Sequence, residues 1–304
     1  MTGITIQARL AGGVWGHLVG DAIGVPYEFS RPSSIASVEW GHTGTHHQPA
    51  GTWSDDGALM LALLDSLLTT GFDLEDQARR SVAWLREGAY TPDGVVFDIG
   101  PTTRHALERV ETGTLAAEAG GTDEGSNGNG SLMRVLPVAL VGRTETDDVL
   151  VRRVSAASAV THAHPRCRVT CAVYTLMARN LLLGESDRGA AMDKALVAVE
   201  THMPPEWRQD FDILAAWEPR TGDGYVIDCF WSAWDAFSEA AGYPEAIERA
   251  VRYGKDTDTT ACVAGGLAGI YWGIEDIPQA WRNQMRGQEI VKRVMAELIS
   301  RGGT

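Results

Sequence analysis

Apolar residues recur at helical spacing along most of the chain, with almost none of the alternation that half-buried β-strands show. The segments ALMLALLDSLLTTG (58–71) and LEDQARRSVAWLREG (74–88) each carry an apolar face and end at a glycine, which is favoured just beyond a helix C-terminus. A Gly-rich segment, AGGTDEGSNGNGS (119–131), predicts a long loop, but similar helical patterns lie on both sides of it. The pattern therefore predicts an all-α protein, with residues 1–304 in a single domain.

The composition limits the classes of partner. The formal net charge is −14 at pH 7 and the pI is about 5.0, so we expect neither nucleic acid nor an anionic membrane surface as a partner. No apolar stretch reaches membrane-spanning length, and the N-terminal segment lacks the pattern of a signal peptide. The four cysteines do not form a disulfide framework or a pattern of zinc ligands. These features favour a cytoplasmic protein, and we expect a monomer.

Acidic and hydroxyl side chains begin two of the predicted helices. In GTWSDDGALM (51–60) they precede an apolar helix, and in GKDTDTT (254–260) they precede a run of small residues suited to close packing. Either segment alone is typical of an ordinary helix cap, since Ser and Asp accept hydrogen bonds from the free N–H groups there. If the two helix starts meet, their all-oxygen cluster would suit Mg²⁺ or Mn²⁺, with enough carboxylates for two ions. Its members would be Ser54, Asp55, Asp56, Asp256, Asp258 and Thr259.

Three other segments are unusual for surface loops. GDAIGVPYEF (20–29) places an aspartate between glycines and a glutamate after a proline turn. SNGNGSLMR (126–134) can present several backbone N–H groups to a phosphate, although it lacks the lysine of a P-loop. THAHPR (161–166) carries two histidines that are too close together to be a metal pair without other ligands. A further segment, HTGTHHQPAG (42–51), places three histidines near the proposed metal site; we expect them to be loop residues, and the alternative is a regulatory metal role.

Taken together and in this order, GDAIGVPYE, GTWSDDGALM, GNGSLMR, THAHPR and GKDTDTT resemble the ADP-ribosylglycohydrolase family. The resemblance runs from about Gly16 to Gly273. VFDIGPTTRHALERV (96–110) and GYVIDCFWSAW (224–234) are similar to the bacterial dinitrogenase reductase-activating branch, which removes ADP-ribose from arginine. The resemblance implies a compact orthogonal helical bundle with a di-metal cleft.

The resemblance also implies a role for each matching position. The metal-binding positions are Ser54, Asp55, Asp56, Asp256, Asp258 and Thr259. The family usually has threonine where this chain has Ser54, and a serine hydroxyl can still coordinate a cation. The catalytic positions are Glu28, Asp55, Asp98 and Asp256. The positions that bind ADP-ribose are Asn129, Gly130, Ser131, Met133, His162 and Tyr225.

The function that the resemblance implies is hydrolysis of the N-glycosidic bond between ADP-ribose and a modified arginine on a protein. Two divalent cations, Mg²⁺ or Mn²⁺, are the expected cofactors, and ADP-ribose and an ADP-ribosylated protein are the expected partners. Three alternatives remain open from the sequence. The same scaffold could act on serine-linked or other ADP-ribosyl substrates, or it could bind ADP-ribose without catalysis, as in a crystallin-like member. The carboxylates alone would also fit an unrelated di-metal phosphatase.

Overall fold

The computed structural model describes residues 3–41 and 43–302, and the regular structure in these ranges is helical, without a β-strand. The all-α prediction is therefore confirmed. The helices, in chain order, are α1 (Ile6–Gly24), α2 (Asp55–Thr69), α3 (Leu74–Glu87), α4 (Pro101–Glu111), α5 (Ala116–Ala119), α6 (Leu136–Val141), α7 (Asp147–Ala159), α8 (Pro165–Leu182), α9 (Arg188–His202), α10 (Arg208–Ala215), α11 (Val226–Ser238), α12 (Tyr243–Val251), α13 (Thr257–Trp272), α14 (Gln279–Gln284) and α15 (Gln288–Gly302).

Helices α1 and α13 make the most extensive contact in the fold. Glycines recur every four residues along the facing side of α1, so the two backbones touch directly. A methyl group at Gly16 would overlap the carbonyl oxygen of Gly265, and one at Gly20 would overlap that of Ala261. At the end of α1, Gly24 lies against the backbone of Asp258. The small residues after the second acidic segment therefore bring the end of α1 to the start of α13.

Helix α2 crosses the interior of the molecule. Every residue from Asp55 to Leu68 is buried, and the helix packs against α3, α6 and the first turns of α13. Its N-terminus consequently lies inside the protein, where the free N–H groups and the acidic side chains of its first turn are removed from bulk water. Ser54 begins the helix, and its hydroxyl accepts a hydrogen bond from the Asp56 N–H at 3.2 Å.

The Gly-rich segment predicted as a long loop has more local structure than its composition indicates. It begins at the end of the short helix α5 and contains a 3-10 turn, Glu124–Ser126. Two isolated backbone bridges fix its position, one between Gly121 and His162 and the other between Gly128 and Tyr225. These long-range pairings hold the loop between the starts of α8 and α11.

Two further expectations concern disulfide bonds and membrane-spanning helices. All four cysteines are free and buried, as expected for small core residues. Among the described residues, no helix combines the length and the apolar character that crossing a bilayer requires.

Candidate active site

The two acidic helix starts lie side by side. The Thr259 hydroxyl at the start of α13 donates to Asp56 Oδ1 in the first turn of α2, at 3.5 Å, and Cys262 Sγ donates to Asp56 Oδ2 at 3.1 Å. Carboxylate oxygens of Asp21, Asp56 and Asp258 lie within 4.8 Å of one another. The structure thus joins segments that are about 200 residues apart in the chain.

A second group of carboxylates shares Asp258 with this one. Oxygens of Glu28, Asp256 and Asp258 also lie within 4.8 Å of one another. Asp256 Oδ1 and Asp258 Oδ2 are buried and have no hydrogen-bond partner among the described residues. Burial, together with repulsion between neighbouring carboxylates, raises the pKa of Asp258 well above its usual range.

This donor set is compatible with a divalent metal site. Buried carboxylate oxygens without donors are costly unless a cation balances them, and every ligand atom in the two groups is a hard oxygen. No lysine or arginine lines the cavity among the described residues, so no side-chain cation replaces the metal. Burial and the charge of Asp56 likewise raise the pKa of Asp55 well above its ordinary value.

Asp21 organises the first turn of α2, a role that the sequence did not indicate. Its carboxylate accepts the backbone N–H of Ser54 at 2.9 Å and that of Gly57 at 2.8 Å. It is fully buried, and burial raises its pKa to about 7. The sequence signal that marks it is an aspartate within the otherwise apolar, glycine-containing stretch LVGDAIGV (18–25). Asp21 therefore fixes the helix start from which Asp55 and Asp56 project.

The acidic cluster forms one wall of a cavity of about 310 Å³. The rest of its lining includes the first residues of α4, Gly128–Gly130 and His162. Helix α4 begins at Pro101 without a side-chain cap, so its free N–H groups are available to an anion. Asn129 joins the two walls, since its Nδ2 donates to Asp256 Oδ2 at 3.0 Å. The cavity thus combines an acidic wall with a wall of N–H donors.

Most positions expected to bind ADP-ribose line this cavity, namely Asn129, Gly130, Met133 and His162. Ser131 lies beneath the surface instead, where its hydroxyl accepts a hydrogen bond from Ser158 at 2.9 Å. Tyr225 follows the cavity residue Gly224, and its half-buried ring lies 5.1 Å from that of Trp217.

His162 contacts the glycine loop closely. A methyl group at Gly130 would lie 2.8 Å from His162 Cε1 and 2.9 Å from Thr103 Oγ1, so this position has no room for a side chain. Burial, and then the charge of Arg134, lower the pKa of His162 to about 3. The imidazole is therefore neutral at physiological pH, and it also contacts the Thr161 hydroxyl at 2.9 Å.

Positive backbone φ angles cluster around the acidic wall. Phe29 (61°) follows Glu28, Asp98 has a φ of 62°, and Lys255 (58°) precedes Asp256. Such conformations cost roughly 1–3 kcal/mol each for residues other than glycine, and they persist where surrounding contacts enforce them. Backbone hydrogen bonds enforce one of them here, since Phe29 N–H donates to the Lys255 carbonyl at 2.5 Å. This strained pairing holds the Glu28 loop beside the start of α13.

His46 lies at the site, although the sequence placed it in an ordinary loop. Its Nε2 is hydrogen-bonded to Glu28 Oε2 and lies 3.8 Å from Asp98 Oδ1. Its ring is between those of Phe29 and Phe97, with centroid distances of 5.9 Å and 5.2 Å. Burial and the neighbouring Asp98 raise the pKa of Glu28 to about 10.

Of the other two histidines of the 42–51 segment, only His47 can be placed. His47 is exposed, and His42 lies outside the described residues. Spacing alone gives no signal that separates His46 from its neighbours, because its partners are distant in the chain.

Comparisons with known proteins bear on the family and the fold of this chain. A family model described as ADP-ribosylglycohydrolase matches residues 2–303. The solved structure of an ADP-ribosylglycohydrolase-related protein complex has a TM-score of 0.78 and 32% sequence identity, covering 96% of this chain and 97% of that chain. The expected fold type is therefore confirmed.

Three similar proteins of known sequence align with this chain over most of their own length. The Rhodospirillum rubrum ADP-ribosyl-(dinitrogen reductase) glycohydrolase is 29% identical over 100% of this chain and 99% of its own. The Serratia proteamaculans ADP-ribosylarginine hydrolase Tri1 is 28% identical over 96% of this chain and 79% of its own. The Homo sapiens ADP-ribosylhydrolase ARH3 is 26% identical over 93% and 90%. This chain, with its acidic helix starts joined across one cavity, belongs to the ADP-ribosylglycohydrolase family.

Proposed function

We propose that this protein hydrolyses the N-glycosidic bond between ADP-ribose and a modified arginine on a protein, reversing mono-ADP-ribosylation. The observation that best supports this proposal is the cavity, whose lining combines the carboxylates of α2 and α13 with N–H donors. Similarity to two proteins named for arginine-directed or dinitrogen reductase-directed activity supports arginine as the acceptor.

The residues that would hold two divalent cations are Ser54, Asp55, Asp56, Asp256, Asp258 and Thr259. This assignment is supported by Asp256 and Asp258, each of which has a buried carboxylate oxygen without a hydrogen-bond partner among the described residues. Either Mg²⁺ or Mn²⁺ fits an all-oxygen donor set of this kind. When bound, the cations supply positive charge that orients the ribose hydroxyls and polarises a water molecule. The N-cap hydrogen bond of Ser54 leaves a lone pair on its oxygen for coordination.

Different carboxylates would serve different steps of the hydrolysis. Glycosidic cleavage passes through a state with positive charge on the sugar ring, which ionised carboxylates in a cavity stabilise. Asp55 or Asp256 orients the attacking water and accepts its proton. Glu28 or Asp98, both in contact with His46, protonates the departing guanidine nitrogen or assists opening of the ribose ring.

The opposite wall of the cavity would receive the diphosphate. Its donors are the free N–H groups at the start of α4 and the backbone N–H groups of Gly128 and Gly130, since that of Asn129 already donates to the Gly224 carbonyl at 3.0 Å. A neutral His162 can donate one further hydrogen bond. Tyr225, beside the cavity, would stack on adenine. Such a wall holds an anion without arginine or lysine, which suits a protein with a net charge of −14.

The test compares an arginine-linked with a serine-linked ADP-ribosyl peptide, measuring released ADP-ribose with and without a chelator. We expect release from the arginine-linked peptide only, and no release after metal removal. Asp56→Asn and Asp258→Asn each lose activity by at least about a hundredfold. The control Asp193→Asn changes an exposed aspartate on α9 and keeps full activity. Release from the serine-linked peptide alone would establish the alternative substrate class, and activity in metal-free protein would refute the mechanism.

Location and assembly remain part of the proposal. Four free, buried thiols favour a reducing compartment, which supports a cytoplasmic protein. A monomer is the state that we expect.

A further inference from the structure

A second cavity lies on another face of the molecule and shares no lining residue with the proposed active site. Its volume is about 570 Å³, within the range of small-molecule sites. Helix α7, helix α8 and the segment Met203–Trp207 enclose it. Its apolar walls are the buried side chains of Val151, Met203 and Trp207. We call it the α7–α8 cavity.

Arg168 on α8 is an unbalanced cation in this cavity. Its side chain makes no ion pair and no hydrogen bond with any described residue, and its buried Nε has no partner. Burial lowers its pKa from the ordinary value, and no neighbouring carboxylate offsets that effect. By contrast, Arg166, two residues earlier, pairs with both Glu124 and Asp210. Other buried or half-buried arginines without a carboxylate partner donate to backbone carbonyls instead, as Arg9, Arg134 and Arg188 do.

The guanidinium of Arg168 is nevertheless held in place. It lies over the Trp207 ring, 4.2 Å from the centroid. A cation–π contact of this kind fixes the plane of the group, but it leaves the N–H donors at the edge of that plane unused. The N–H groups are therefore oriented to donate two parallel hydrogen bonds to a planar anion.

Ser155 on α7 adds a second unused polar group to the same cavity. The residue is only 3% exposed, and its hydroxyl has no hydrogen-bond partner among the described residues. Leaving a buried hydroxyl or guanidinium donor without a hydrogen bond is costly in free energy. One ligand that accepts from Arg168 and contacts Ser155 would remove both costs.

We propose that the α7–α8 cavity binds a small organic carboxylate, whose carboxylate group pairs with Arg168 and Ser155 while its apolar body packs between Val151, Met203 and Trp207. A singly charged anion matches the single unpaired cation inside. A phosphate fits less well, because its second charge would have no partner and Glu206 lies on the exposed rim. The apolar walls require a ligand with a hydrophobic part rather than a bare ion.

The experiment measures binding of benzoate to the full-length protein by titration calorimetry, with benzyl alcohol and inorganic phosphate as comparison probes. We expect benzoate to bind and the other two probes to bind at least about tenfold more weakly. Arg168→Met keeps an unbranched chain over Trp207 and weakens benzoate binding by about tenfold or more. Ser155→Ala weakens it by about threefold. The control Arg86→Met changes an arginine outside this cavity that pairs with Glu111, and it leaves benzoate affinity unchanged.

Two results would overturn the proposal. One is benzoate binding that is equal in wild type and Arg168→Met, or no benzoate binding to wild type at all. The other is phosphate binding as tight as benzoate binding, which would remove the role of the apolar walls. Folding does not confuse the comparison, because Arg168→Met removes a desolvated charge and should unfold at the same temperature as wild type or higher. The result is independent of the arginine-directed hydrolysis proposed above.

Discussion

Two side chains without a role in the sequence pattern, Asp21 and His46, organise the candidate active site. Asp21 fixes the start of α2 through backbone N–H groups, and His46 joins Glu28 to the Asp98 loop. The helix-start acids were predictable because they recur in two similar local motifs. Asp21 and His46 were not, because their partners lie 18 to 52 residues away and only the fold brings them together.

At this scale, the His46 contact predicts a specific catalytic loss. His46→Ala removes the hydrogen bond to Glu28 and empties the space between Phe29 and Phe97. We expect kcat to fall by about 10–100-fold, as for loss of a partner that orients a catalytic group, with little change in the unfolding temperature. Steady-state kinetics on an arginine-linked ADP-ribosyl peptide would measure the fall.

The matched control is His47→Asn, which changes an exposed neighbour at a position with φ 52° where asparagine is tolerated. It should retain wild-type kcat. Equal kcat values for His46→Ala and His47→Asn would show that His46 does not position Glu28.

At the scale of elements, the active site depends on the close approach of α1 and α13. Helical periodicity predicted most of the long helices. The abrupt change to small residues after Asp258 is visible in the sequence itself. The periodicity did not predict that the glycines of α1 would face those small residues, because a stripe of glycines has no apolar periodicity of its own. Nor did composition reveal the bridges that order the Gly-rich loop, since Gly121 and Gly128 pair with distant segments.

The contact between these helices predicts a large stability cost for one methyl group. Gly16→Ala would overlap the Gly265 carbonyl, where backbone on both sides prevents a local adjustment. We expect the free energy of unfolding to fall by about 1–3 kcal/mol, more than the gain in helix propensity offsets. Urea denaturation would measure it.

Gly189→Ala makes the same change at an exposed position in the first turn of α9. The nearest atom there is a flexible Asp187 oxygen at 3.3 Å. This control should leave stability unchanged or raise it by about 0.5 kcal/mol. If Gly16→Ala were as stable as Gly189→Ala, the two backbones would not be in contact.

At the scale of the whole molecule, an acidic protein with a net charge of −14 concentrates further negative charge in its interior. Burial raises the pKa of Asp21 to about 7, and the pKa values of Asp56 and Asp258 rise well above their usual range. Without a bound cation, these carboxyl groups therefore stay protonated in the folded protein at pH values where they are ionised in the unfolded chain. Stability and metal occupancy are consequently linked through pH.

The linkage predicts opposite pH trends with and without metal. Without a cation, the raised pKa of Asp21 stabilises the fold most below about pH 4, and this contribution is lost as the pH rises through about 7. With Mg²⁺, ionised carboxylates are the ligands, so the stabilisation by metal grows with pH. Thermal unfolding at about pH 6 and pH 8, with Mg²⁺ or with chelator, would show this. A Mg²⁺-induced shift in unfolding temperature that does not increase with pH would contradict the linkage.

The most direct measurement is the anomalous diffraction of Mn²⁺ in crystals of the protein. We expect two Mn²⁺ positions between the first turns of α2 and α13, with oxygen ligands from Asp55 or Asp56 and from Asp256 or Asp258. Crystals of Asp56→Asn grown in the same way should lose occupancy at one or both positions. Absence of Mn²⁺ from this cluster in the wild-type protein, or ligands drawn from only one of the two helix starts, would contradict a shared metal site.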